Sequence, residues 1–148
     1  MRLTLNLALP AAALMAVIAV APAFAAPGDG VPPVSPQARA VGLVDIRSVV
    51  PDAVIDLRYA TANNFVGVPL YPASARCLVH ESLTPGLATA AAALRADGLN
   101  LVFWDCYRPH SVQVRMFQAV PDPAWVAQPG PYSRSHETGR SMDVTLAR

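Results

Sequence analysis

His136 and Asp143 stand seven residues apart, with Gly139 between them. A glycine turn at that spacing can put an imidazole on a loop and a carboxylate on the strand that follows, both facing one cation. A neutral imidazole with a carboxylate is an ordinary zinc pair. Two donors alone do not make a stable site, and the same residues also read as a turn-capping aspartate and a surface histidine. Glu137 offers a carboxylate for general-base work, but adjacent side chains usually point apart. The run Trp104-Asp105-Cys106-Tyr107-Arg108-Pro109 is a second constellation. A strand end followed by a rigid turn is a good platform for an arginine. Arg108 could hold a carboxylate or stabilise an oxyanion through its planar fork. It could equally form a structural ion pair with Asp105. His80 and His110 are further imidazoles, more in keeping with capping or exposed positions.

The surrounding sequence must supply the scaffold. Val44 to Val50 and Ala53 to Tyr59 are rich in branched and aliphatic residues and split by Pro51-Asp52, which predicts two short strands. Asn63 to Ala75 is rich in turn residues and suits a substrate wall. Thr84 to Asp97 predicts a helix. Thr84 serves as N-cap, Pro85 sits in the first turn, and Gly98 ends it. Leu83, Leu87, Ala91 and Leu94 form its apolar stripe. Leu99 to Trp104 reads as a buried strand, Ser111 to Gln118 as a short helix, and Ser141 to Leu146 as a final strand. Val120 to Tyr132 is a proline-rich loop. Helices and strands mixed without βαβ regularity indicate an α+β domain, a small one with a central antiparallel sheet and flanking helices.

The chain has 148 residues and a formal net charge of +1. The charged fraction is only 14% and no basic run occurs, which excludes a nucleic-acid-binding face. Fifteen prolines argue against a helical bundle. Residues 1–25 have a positive start, an almost wholly apolar stretch from Leu3 to Val20, and Ala-Phe-Ala before position 26. That is the pattern of a secretory signal peptide, so a periplasmic or secreted protein is expected, with no stable membrane span once the segment is cleaved. Residues 26–43 read as a leader or linker, and 44–148 as the domain. Export lets Cys77 and Cys106 be read as a disulfide, with two buried thiols as the alternative.

Taken together the motifs resemble the VanX-type D-alanyl-D-alanine dipeptidases, a branch of the zinc D,D-peptidases. The likeness runs from about Val44 to Leu146. It is carried by Asp56-Leu57-Arg58-Tyr59-Ala60-Thr61-x-Asn63-Asn64-Phe65-x-Gly67, by Trp104-Asp105-x-Tyr107-Arg108-Pro109, and by Ser135-His136-x-x-Gly139-x-x-x-Asp143-Val144-Thr145-Leu146. The resemblance implies zinc-dependent hydrolysis of D-Ala-D-Ala in cell-wall metabolism. His136 and Asp143 would be two of three zinc ligands, and Arg108 the stabiliser of the developing oxyanion. Tyr59 and Ser135 would contact substrate. The family has a serine two residues before its first zinc histidine, where this chain has Arg134. Its base glutamate and third zinc histidine lie in a later segment, and none matches between Asp143 and Arg148. The resemblance thus implies a catalytic domain lacking its C-terminal part, with no general base in this chain. The rival readings are a D,D-carboxypeptidase acting on longer stem peptides and a non-catalytic periplasmic remnant that binds peptidoglycan.

Overall fold

The computed structural model describes residues 33–131 and 135–148. The signal-peptide reading of residues 1–25 and the departure at Arg134 lie outside them. Ser35 opens a short helix, α1 (Pro36–Ala40), by accepting from the Ala38 N–H at 3.1 Å. This helix begins inside the segment read as linker and buries none of its residues.

Among the described residues the strands form two sheets. β1 (Leu43–Asp45) pairs antiparallel with β3 (Leu78–His80). The other sheet has the order β2-β4-β5. β4 (Asn100–Asp105) lies at its centre, β5 (Asp143–Ala147) runs antiparallel to it, and β2 (Val54–Ile55) runs parallel. The α+β class therefore holds, while the sheet expected to be antiparallel is mixed.

The two predicted N-terminal strands are shorter than the apolar runs suggested. Asp45 ends β1 because its carboxylate accepts from the Arg47 N–H at 2.9 Å, and its carbonyl accepts from the Ser48 hydroxyl. The chain then turns through a 3-10 helix at Ile46–Ser48, which seats Ile46 in the core. After β2 a second 3-10 turn, Arg58–Ala60, exposes the Tyr59 carbonyl to the Leu70 and Tyr71 N–H groups. Local side-chain and turn bonds here outcompete strand pairing.

Helix α2 (Thr84–Ala96) follows prediction closely. Thr84 lies within it rather than capping it, and its hydroxyl donates to the Glu81 carbonyl. Ala91, Leu87 and Leu94 pack into the core with Leu101 and Phe103 of β4. Gly98 ends the helix at φ 69°. Helix α3 (His110–Ala119) buries Val112 and Met116 in a second cluster with Leu70, Tyr71 and Val126. Among the described residues, no helix is long and apolar enough to cross a membrane.

Cys77 and Cys106 are joined by a disulfide, both almost fully buried. It ties the entry to β3 to the residue just after β4. Between Phe103 and Asp105 the β4–β5 register shifts, so two β4 residues face one of β5. Bulges of this kind redirect side chains, and this one brings Asp105 opposite Asp143.

Candidate active site

The end of β4 is built around a buried carboxylate. Asp105 has no solvent exposure. Its Oδ1 accepts from the Tyr71 hydroxyl at 2.7 Å and the Cys106 N–H at 2.9 Å. Its Oδ2 accepts from Arg108 Nε at 2.9 Å and Nη2 at 2.6 Å. Four donors saturate the group, so its oxygens serve the protein and not a cation. Tyr71 gains from the arrangement: burial first, then the Asp105 charge, push its phenol far above the ordinary range and keep it a donor.

Arg108 forms the ion pair with Asp105 that the sequence allowed. It also faces a cavity. Its Nη2 lies 3.8 Å from Asp143 Oδ2, and its guanidinium carbon sits 5.5 Å from the Tyr59 ring centre. Burial works against its charge, but the nearby Asp105 outweighs that and raises its pKa. A fixed, permanently charged fork results.

His136 opens a 3-10 turn, His136–Thr138, that Gly139 closes at φ 68°. Its Nδ1 lies 3.0 Å from the Cys106 carbonyl oxygen. A carbonyl only accepts, so Nδ1 carries the proton in that bond. In the neutral ring Nε2 then keeps its lone pair, which is the usual way a backbone carbonyl prepares a metal-binding histidine. Nε2 stands 3.5 Å from Asp143 Oδ1. Two donors sharing one tetrahedral zinc at about 2.0 Å stand roughly 3.3 Å apart. Asp105, His136 and Asp143 hold donor atoms within 4.8 Å of one another, and with Asp105 saturated the remaining two fit a metal ion. With no ion between them, burial opposes the His136 charge, yet the bond to Asp143 raises its pKa. The same bond holds the Asp143 carboxyl below its ordinary value.

Arg108, His136 and Asp143 line a cavity of about 240 Å³, together with Tyr59, Phe65 and Trp125. Tyr59 meets the Phe65 and Tyr71 rings edge-on, at 5.9 and 6.0 Å. Burial raises its pKa, so the phenol stays neutral. A larger cavity of about 370 Å³ is lined by Asp45, Asp56 and Cys77 and does not include the histidine.

Other sequence candidates lie apart from this pocket. Glu137 turns its carboxylate to His110, with Oε2 2.9 Å from Nδ1. His80 is engaged by Ser82 and by Arg140, the latter at 2.8 Å. Ser135 is exposed just before the His136–Thr138 turn, and its carbonyl accepts from the Arg140 N–H and the Thr138 hydroxyl. Sequence reasoning missed Tyr71, Gln113 and the Cys106 carbonyl. Only Tyr71 had a signal, through its place in the turn-rich segment read as a wall.

A buried arginine, a histidine held by a carbonyl and a facing carboxylate together make a candidate metal-binding pocket. A profile described as D-ala-D-ala dipeptidase matches residues 39–148, and the chain belongs to this family of metal-dependent peptidases. It is also 39% identical over 104 residues to the D-alanyl-D-alanine dipeptidase of Escherichia coli (strain K12), covering 70% of this chain. The match takes in 53% of that protein, so the chain spans about half the length of the curated relative.

Proposed function

We propose that this chain carries the catalytic-domain residues of a zinc dipeptidase that hydrolyses D-Ala-D-Ala in the periplasm or outside the cell. The observation that carries the reading is the pair of donors 3.5 Å apart, beside a buried guanidinium, in one small cavity. His136 Nε2 and Asp143 Oδ1 would hold the ion. Bound zinc supplies Lewis acidity toward a carbonyl and a bound water of lowered pKa.

The chain's own residues would supply charge stabilisation and the pocket walls. Arg108 presents charge where the scissile carbonyl oxygen gains it. Because Asp105 already orients the fork, little reorganisation accompanies that step, and such a donor is worth about 10²–10³ in rate. Tyr59 and Phe65 offer ring surface to small apolar side chains. Ser135, beside the ligand histidine, would contact the peptide from the turn. The apolar run of residues 1–25 supports export.

The test is release of D-alanine from D-Ala-D-Ala by the full-length, zinc-loaded protein, with L-Ala-L-Ala and a stem pentapeptide alongside. Release from the D,D-dipeptide that a chelator abolishes is the expected result. Faster cleavage of the pentapeptide would replace this reading with a carboxypeptidase. Chelator-insensitive binding of muropeptides without turnover would replace it with a binding protein.

A further inference from the structure

Gln113 lies on α3 and is 4% exposed. Its Oε1 accepts from Arg108 Nη1 at 2.6 Å. Its Nε2 donates to the Ala127 carbonyl at 2.5 Å. One side-chain amide therefore joins the arginine to the proline-rich segment that lines the same cavity.

That segment is a wall in its own right. Asp122 folds it: its carboxylate accepts from the Ala124 N–H, and its carbonyl accepts from the Trp125 and Val126 N–H groups. Val126 is buried against the Met116 cluster, whereas Trp125 is 83% exposed. Trp125, Val126 and Ala127 all line the cavity that holds Arg108, His136 and Asp143. Beyond Val126 the chain carries no further buried apolar anchor as far as residue 131. The Gln113 bond thus ties the wall at Ala127, one residue beyond the buried Val126.

We propose that Gln113 is a specificity-determining residue, which sets the distance between Arg108 and the Trp125–Ala127 wall and so restricts the site to dipeptides of small residues. The inference rests on the peptidase reading for its substrate and on the amide's two bonds for its geometry. Gln113 acts through its neighbours and is a positioning residue. Were it only satisfying buried polar groups, its loss would lower activity on all substrates alike.

Two variants separate the roles. Gln113→Leu removes both bonds. Gln113→Glu keeps an acceptor for Arg108 but turns an oxygen toward the Ala127 carbonyl, so it loses the tether while keeping the Arg108 bond, now to a charged carboxylate; that added charge acts on both substrates alike and leaves the ratio to report the tether. Each is compared with the unaltered protein by kcat/KM on D-Ala-D-Ala and on D-Ala-D-Phe, and by hydrogen exchange of the 124–127 amides. Circular dichroism establishes that each is folded.

The expected result is a shift of the D-Ala-D-Phe to D-Ala-D-Ala ratio by about tenfold toward the bulkier substrate in both variants. Exchange at 124–127 should rise about tenfold, while the α3 amides keep their protection. Equal losses on both dipeptides, or unchanged exchange at 124–127, would overturn the proposal. If the unaltered protein cleaves neither dipeptide, the peptidase reading fails, and the exchange data still decide whether Gln113 holds the wall. Should the leucine variant not fold, the near-isosteric glutamate variant carries both measurements.

Discussion

Replacing Asp105 by asparagine should damage stability and catalysis together. The carboxylate accepts from four donors, and two of them belong to Arg108. An asparagine has one acceptor oxygen. Whichever way the amide turns, its NH₂ group faces donors: Tyr71 and Cys106 on one side, or the guanidinium on the other. The substitution also leaves Arg108, only 8% exposed, without its closest counter-charge. Asp143 Oδ2 at 3.8 Å is too distant, and too exposed, to compensate. Removing one partner of a buried ion pair costs about 3–5 kcal/mol. Urea unfolding of Asp105→Asn should show a loss of that order with an unchanged m-value. Its kcat on D-Ala-D-Ala should fall by about 10²–10³, as expected when an oxyanion donor is misplaced. The cycle with Arg108→Met tests the cause: once the arginine has been replaced, the same Asp105 change should cost much less kcat, because no fork remains to orient. A single variant that loses under about 1 kcal/mol, or keeps full kcat, would refute the account of Asp105 as the anchor.

Three other outcomes are expected. In metal-free protein the His136–Asp143 pair should contribute most to stability between the ordinary aspartate and histidine pKa values of 3.8 and 6.5. The raised histidine loses its contribution as pH climbs through its folded pKa, and the lowered aspartate loses its own as pH falls through its folded pKa. Asp143→Asn should flatten that profile in urea titrations at pH 5 and pH 8. Replacing both cysteines by alanine opens a loop of sequence separation 29 and should cost about 3.5 kcal/mol by thermal unfolding. It should also weaken zinc binding by about 10–100-fold in a chelator competition, since the Cys106 carbonyl orients His136. Gly139→Ala should lose about 3 kcal/mol in denaturant unfolding. A β-carbon there would sit at φ 68°, 2.5 Å from Leu43 Cδ2 and 3.0 Å from the His80 nitrogen.

The sequence was most informative where a single side-chain type dictates a local structure. Pro85, the Leu87–Ala91–Leu94 stripe and Gly98 are enough to specify α2, and the apolar run before Asp105 specifies β4. The strand after Ile46 was misread because Ile46 and Val50 are buried through a 3-10 turn, and burial alone does not reveal backbone geometry. The parallel placement of β2 depends on long-range pairing with Val102 and Phe103, which no local pattern encodes. In the site, His136, Asp143 and Arg108 were singled out by residue type together with the family resemblance, and the structure brings the three to one cavity. The supports were not singled out. The Cys106 contribution is a main-chain carbonyl, present at every residue, and Gln113 looks like any polar helix position until Ala127 is brought beside it. Whether Arg108 was an ion-pair partner or a reactive group could not be resolved from sequence because it is engaged with Asp105 and turned to the cavity at once.

The turn from His136 to Gly139 belongs to neither sheet and is bonded to both. Its first carbonyl accepts from the Arg108 N–H just beyond β4, and its last accepts from the His80 N–H in β3. The two sheets share no strand, so this turn and the disulfide serve as clasps across the seam between them. By thermodynamic linkage, an ion gripping His136 and Asp143 also tightens that seam. Metal starvation would then have a mechanical signature as well as a chemical one: the β1–β3 pair, which supplies neither His136 nor Asp143, would breathe more often when the ion is gone.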